Sequence, residues 1–414
     1  MAAIAHAFTE QNTPQTTTSV TYSDVTGASI ASGNFTTGKK YLLIITAQST
    51  LNTADDASAI RTLHGSTAFD ESEQIQETET LADYGIYQFI TVWTAVSGEG
   101  IKLQFRPLID TLQVTIDQIA MFAMNLSDDL TENTDWFFAE RATDDTLNIA
   151  FTDGAAVTFT PGTAGHDWLV LSYSQIDITS GTLTAISRLS RSGEASSLLP
   201  EARGVISLTT AVPGFLLSRV FNLGASSNTF TEQSASDTDA THTRLHSSIF
   251  ALNLNKFKNH ANAYTEADVA LSATDYATQL QTISITPDVV SDTLIGSYCG
   301  FDGQSTLREF EFRVQLDEAD QPTGQTTDNR QFAAGNNDTD ENPCPLITMV
   351  TALSAAAHTI DLDGSVDNTA AASAAQHRTL WAVTMELAAG SNPPDDPYLG
   401  LRSVIGAPMF GGAS

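Results

Sequence analysis

Positive charge is scarce in this sequence: 18 Lys and Arg stand against 49 Asp and Glu over 414 residues, a formal charge of −31. No basic run is longer than Lys39-Lys40. Phosphate backbones are bound by Lys and Arg that displace counterions, so this composition excludes nucleic acid as a partner. The acidity reads first as solubility through mutual repulsion, with a cation store as the alternative.

Cysteine is nearly absent. Cys299 and Cys344 have no Cys-x-x-Cys or Cys/His companion at metal-ligand spacing, so disulfides do not hold the fold. Both are expected as buried free thiols, although one bridge between them is geometrically open. Long apolar runs are missing too. The stretch from Tyr41 to Ala47 falls far short of the ~20 residues that cross a bilayer, and no membrane insertion is expected. The opening residues, Met1 to Glu10, carry neither a basic n-region nor an apolar h-region, which points to synthesis in a cytoplasm.

Catalytic signatures are equally thin. The nearest string to a nucleophile elbow is Gly296-Ser297-Tyr298-Cys299-Gly300, with Tyr at the nucleophile position. His-Glu-x-x-His, the Walker loop and the dinucleotide glycine pattern are all missing. Of eight His, the one close pair is His242 and His246, which a strand would place on one face; beside Thr and Ser, a surface position is the plain reading and a metal pair the sharper one. Paired carboxylates for glycoside hydrolysis cannot be read out of 49 candidates. Two acidic clusters, Asn336 to Glu341 and Asp361-x-Asp363-Gly364-x-x-Asp367, offer hard oxygen ligands at loop-like positions. Neither matches the full calcium loop, and solvated turns are the default. Asp361, Asp363 and Asp367 are the better calcium candidates. Trp93, Trp136, Trp168 and Trp381 lie in or beside apolar alternations, so core packing accounts for them before sugar binding does.

What is present is repetition. The same apolar alternation closes three segments about 130 residues apart: MFAMNL at 121–126, IFALNL at 249–254 and WAVTMEL at 381–387. Period two marks a half-buried strand. The openings match in order, AFTEQ at 7–11, FAERA at 138–142 and AYTEAD at 263–268, each with a Glu shortly after an aromatic. About 30 residues inside each copy a turn precedes an apolar strand: NFTTGKKYLLIITAQ from Asn34, TFTPGTAGHDWLVLSYSQ from Thr158 and SITPDVVSDTLIGSYCGF from Ser284. Between these landmarks Thr, Val, Ile, Phe and Tyr recur in short runs bounded by Gly, Asn, Asp and Ser. Helical spacing is scarce, the exceptions being the Ala-rich pieces 352–357 and 370–375.

The sequence therefore predicts an all-β protein: three tandem antiparallel β-sandwich or jelly-roll domains at 1–127, 136–255 and 262–388, followed by an extended C-terminal arm, 389–414. Pro393, Pro394 and Pro397 with several Gly favour that arm as an extended segment. Tyr398, Leu399, Leu401, Val404, Ile405, Met409 and Phe410 give it apolar points for docking on a neighbour.

The strings ASGNFTTGKKYLLIITAQS, RTLHGSTAF and YQFITVWTAVSGEGIKLQF in the first copy resemble virion structural proteins of tailed phages, marine ones especially, that carry tandem jelly-roll modules. The resemblance is specific over residues 6–126 and weaker beyond. It implies a non-enzymatic virion component (capsid decoration, head fibre or tail-associated) on the particle surface, with no catalytic motif to carry over. By fold analogy, jelly rolls of this size often assemble about a threefold axis. Either three chains form a homotrimer or one chain folds its three copies into a pseudo-trimer, and other virion proteins are the expected partners. Rival readings are a receptor- or glycan-binding adhesin and a glycan depolymerase.

Overall fold

The computed structural model describes residues 3–388 apart from 54–55, 79–84, 179–182, 195–199, 207–211, 237–241, 272–275, 277, 303–307, 321–330, 336–341 and 367–372. Among the described residues there is no α-helix; strands and short 3-10 turns make up the regular structure. The Ala-rich piece 352–357, expected as a helical exception, ends one strand and turns into the next. Residues 370–372 of the other piece lie outside the described residues, and Ser373 onward is strand. Tertiary pairing overrides alanine's helix propensity at both.

Six antiparallel sheets fall into three pairs. In the first copy the eight main strands are His6–Gln11, Ser23–Ile30, Lys40–Leu51, Asp56–His64, Gln74–Thr78, Gly85–Thr94, Ile101–Pro107 and Val114–Asn125. Counted from one to eight along the chain, strands 1-8-3-6 form one sheet and 2-7-4-5 the other. The second copy repeats this order, with third, sixth and eighth strands His166–Ile178, Gly214–Leu223 and His242–Asn253. So does the third, where they are Ser291–Asp302, Asn342–Leu353 and Ser373–Thr384.

The registers align the copies residue by residue. Leu42 faces Met124, Leu169 faces Leu252 and Leu294 faces Val383. One backbone bond closes each copy at the same place: Asn125 N to Ala5 O, Asn253 N to Asp135 O and Thr384 N to Asn259 O. The registers also amend one sequence match. Glu10 and Glu140 occupy equivalent places opposite Ala120 and Ser248, but the third copy puts Tyr264 there, so Glu266 lies two residues further on. A two-residue slip keeps the pleat face, which is why the strings still look alike.

Burial separates the two sheets of each pair. In the 2-7-4-5 sheets it alternates, as along Ser23–Ile30, Ile101–Pro107 and Thr152–Phe159, the pattern of a sheet with one face in water. In the 1-8-3-6 sheets the third and eighth strands are buried almost without interruption, so both faces are covered. One face packs on its own partner sheet: Val170, Phe215, Leu217 and Ile249 join Val157, Phe159, Leu189 and Phe230 in the core of the second copy. The other face meets the neighbouring copies. Leu42, Leu169 and Leu294 belong to one apolar cluster, together with Met124, Leu252 and Val383 and with Phe122, Phe250 and Trp381. Each trio occupies a single repeat position, so the three inner sheets share a common core.

That core is filled differently in each copy. Where the first two place Ile44 beside Phe122 and Leu171 beside Phe250, the third places Gly296 beside Trp381. A Cβ at Gly296 would lie 2.1 Å from the indole. The glycine thus makes room for the larger ring. Gly296→Ala is expected to destabilise the protein by about 1–3 kcal/mol, and Trp381→Phe in the same chain to recover most of it, as read by urea unfolding. An additive loss in the double variant would contradict this packing.

Candidate functional site: the seams between copies

The sheets that are covered twice carry the side chains that join one copy to the next. The first strand of each copy meets the start of the third strand of another. His6 Nε2 lies 3.0 Å from Asp292 Oδ2, and His260 Nε2 lies 3.2 Å from Asp167 Oδ2. At the equivalent place between copies one and two, the Lys40 ammonium stands 5.5 Å from the centre of the Trp136 ring and pairs with Glu132 at 2.7 Å. His6, Trp136 and His260 share one repeat position; Lys40, Asp167 and Asp292 share another. The contact runs in the same sense round all three seams.

A second set follows the same sense deeper in. Tyr173 Oη donates to Glu71 O at 3.2 Å, and the equivalent Tyr298 Oη donates to Glu201 O at 2.6 Å. Between the first two copies Gln74 Nε2 reaches Tyr173 Oη at 3.1 Å, Gln88 Oε1 accepts from Leu216 N at 2.7 Å, and Gln175 Nε2 donates to Glu73 O. Ile75 and Val212 exchange two backbone bonds at 3.2 and 3.0 Å, extending antiparallel pairing across the seam. Between the second and third copies Trp381 Nε1 donates to Ser218 Oγ at 3.3 Å, and Arg219 stacks over Tyr264 at 3.9 Å while pairing with Glu194 at 3.0 Å. Buried polar groups demand partners, so these bonds fix how the copies meet as well as adding stability.

Burial sets the proton affinities. It pushes the Glu10 carboxyl up to about 7 against the hydrogen bond from Asn12, and Asp117 up to about 6. It raises Glu71 too, helped by the charges of Glu140 across the seam and of Asp70. His246 is pushed down to about 4 by burial. Inside the second copy Glu232 is fully buried and pushed up to about 7, against the pull of Arg244 at 3.0 Å and of the Ser234, Ser187 and Ser174 hydroxyls. Arg244 also holds Asp145 at 2.6 Å and the carbonyls of Thr152 and Asp153. Gly154 makes space for this network, since a Cβ there would lie 2.1 Å from the Glu232 carboxylate.

The residues singled out in the sequence lie elsewhere. Asp361 and Asp363 sit on a strand, His358–Val366, and not in a loop; Gln279 donates to Asp361 at 2.7 Å and Arg313 pairs with Asp363 at 3.4 Å. Asp367, the cluster 336–341 and the tail residues Tyr398, Leu399, Leu401, Val404, Ile405, Met409 and Phe410 lie outside the described residues. Among the described residues no group of three or more His, Cys, Asp or Glu is placed to hold a metal. His242 and His246 are buried, where a surface pair was expected; Thr and Ser around them line a seam and a core instead of water. Cys299 is a buried free thiol, and the register sets Cys344 directly across from it. All four Trp are buried, as their apolar surroundings predicted. The seam residues escaped the sequence reading, although aligning the three copies would have put His6, Trp136 and His260 in one column.

No protein-family model matches the chain, and no curated protein does. Among solved structures, one described as the triple jelly roll fold and turret assembly in an archaeal virus aligns at 12% identity over 92% of this chain and 91% of that one, with a TM-score of 0.18. The structure of Sulfolobus turreted icosahedral virus aligns at 12% identity over 83% and 80%, TM-score 0.16. The CBM22-1–CBM22-2 tandem domain of Xyn10C from Paenibacillus barcinonensis aligns at 8% over 60% and 93%, TM-score 0.18. The likeness is weak, and where it is to viral proteins it is not specific to tailed marine phages. Among the described residues no helix is long and apolar enough to cross a membrane.

The raised carboxyls fix the sign of a pH dependence. A group that stays protonated in the fold and ionises in the unfolded chain gives stability present below its unfolded value, near 4.5 for Glu, and lost as pH rises towards its folded value. His246 acts oppositely, contributing above about 6.5 and losing its contribution as pH falls towards 4. Glu10→Gln should therefore raise stability at pH 8, on the order of 1–3 kcal/mol, leave it unchanged near pH 4.5, and flatten the slope between. Denaturant titrations at several pH values check this. Arg244→Met leaves Glu232 buried without its counter-charge and should cost about 3–5 kcal/mol at pH 8, and less at pH 5.

Proposed function

We propose that this chain is a non-enzymatic structural protein of a virus particle, a capsid decoration, head-fibre or tail-associated subunit displayed on the particle surface after synthesis in the host cytoplasm. The observation that carries the reading is the double burial of the three inner sheets, whose side chains go into packing and into joining the copies. His242, Arg244 and His246 are buried on an inner strand, and Glu232 is buried on the partner sheet against Arg244. The strand order 1-8-3-6 against 2-7-4-5 supports reading each copy as a jelly roll. The likeness of the first copy's strings to tandem jelly-roll virion proteins supports the same reading. A particle component must last without renewal, and paired strands with a strongly acidic exterior suit that demand.

On this reading residues 1–127, 136–255 and 262–388 are three jelly-roll units, and the cyclic seams make the single chain a pseudo-trimer. The arm, 389–414, docks on a neighbouring virion subunit through Tyr398, Leu399, Leu401, Val404, Ile405, Met409 and Phe410. Mass spectrometry of purified particles should find the protein in stoichiometric amount, and its absence from particles would overturn the assignment. Deleting 389–414 should leave the melting temperature unchanged and reduce incorporation about tenfold or more; unchanged occupancy would remove the arm from the account. Selective retention on a glycan array would instead favour an adhesin.

A further inference from the structure

We propose that the seam between the third and first copies is a proton-operated latch centred on His6. The assignment rests on counting donors. His6 Nδ1 lies 2.9 Å from the carbonyl oxygen of Ile4, and Nε2 lies 3.0 Å from Asp292 Oδ2. A carbonyl and a carboxylate are both acceptors, whereas a neutral imidazole has one N–H and one lone pair. Either neutral tautomer turns a lone pair towards an oxygen at about 3 Å. Both hydrogen bonds exist together only when the ring carries two protons.

The ring sits where its charge state is felt. Asp292 Oδ1 accepts from Ala352 N at 2.8 Å, and the Asp292 carbonyl accepts from Met385 N at 2.8 Å. Ile4 N donates to Met385 O at 2.8 Å, and Ala3 bridges to Glu386. One residue, Asp292, thus joins the leading segment of the first copy to its own strand and to two further pieces of the third, through its carboxylate and its carbonyl. The other charged or titratable side chains on the elements that meet here are Glu10 on the strand of His6 itself, Asp117 on the strand beside it, His377 and Arg378 on Ser373–Thr384, Glu386, and Lys258 with Asp288, which pair at 3.5 Å. Met124, opposite His6 on the neighbouring strand, carries no charge.

The other two seams differ in a way that makes this one the place to open. Copies one and two, and two and three, are joined by the chain itself through 126–135 and 254–259; among the described residues copies three and one meet through non-covalent contacts. At the first seam the equivalent contact uses Lys40 and Trp136 and no imidazole. At the second, Asp167 also accepts from Asn262 Nδ2 at 3.2 Å, so two side chains of the third copy hold that carboxylate, whereas His6 is the one side chain of the first copy bonded to Asp292 among the described residues. Loss of one His6 proton removes the positive charge facing Asp292 and leaves one of the ring's two oxygen contacts without a donor, so the charge-assisted bond across this seam weakens.

The test uses the full chain, with histidine ring nitrogens and backbone amides followed by NMR from about pH 5 to about pH 9. The proposal expects both His6 nitrogens protonated while the seam is closed. It expects exchange protection of the Ile4, Ala352 and Met385 amides, corrected for intrinsic rates, to fall about tenfold as the ring loses a proton, while amides of Ile45, Val170 and Ile295 keep theirs. In His6→Gln, and independently in Asp292→Asn, protection at those three amides should be low and free of that pH step. A His6 ring that is singly protonated throughout, a pH step that survives in either variant, or a loss shared equally by the interior strands would each overturn the latch.

Discussion

A sheet that is apolar on both faces cannot stand at the surface, and the arrangement of this molecule follows from having three of them. The third and eighth strands of every copy carry large apolar side chains at consecutive positions, as in YLLIITA and MFAMNL, so covering one face with the partner sheet leaves the other exposed to water. At roughly 25 cal/mol per Å² of apolar area, a sheet face left uncovered would cost more than the net stability of most domains. Three such faces turned towards one another solve the problem within a single chain. The outer sheets, alternating buried and exposed residues, supply the surface on which the excess of acidic groups is spread.

Symmetry of position does not entail identity of chemistry. The seams repeat the same geometry with His and Asp, with Lys and Trp, and with His and Asp again. The common core fills the same repeat positions with Ile and Phe, Leu and Phe, or Gly and Trp. Duplicated copies free to diverge keep what packing demands, a filled core and satisfied polar groups, and vary how they meet it.

Much of the fold was legible because strands announce themselves by period. The closing runs MFAMNL, IFALNL and WAVTMEL predicted the eighth strands, and the turn followed by YLLIITAQ, WLVLSYSQ and TLIGSYCG predicted the third. The third opening motif was misplaced by two residues because a slip of two preserves the face and therefore the look of the string. The seam contacts were not legible one residue at a time. His6 and Asp292 are 286 residues apart and look like solvated polar residues until the copies are stacked. His242 and His246 were read as surface because Thr and Ser flank them, yet such hydroxyls also line buried seams and cores when their bonds are satisfied.

Solution scattering on the full chain tests most directly the claim that the three copies close around a shared core. Three sandwiches gathered in this way should give a radius of gyration of about 22 Å, the value for a compact chain of this length, and a pair-distance distribution with a single maximum. A radius of roughly 30 Å or more, with the separate peaks of sandwiches strung along a line, would contradict the account.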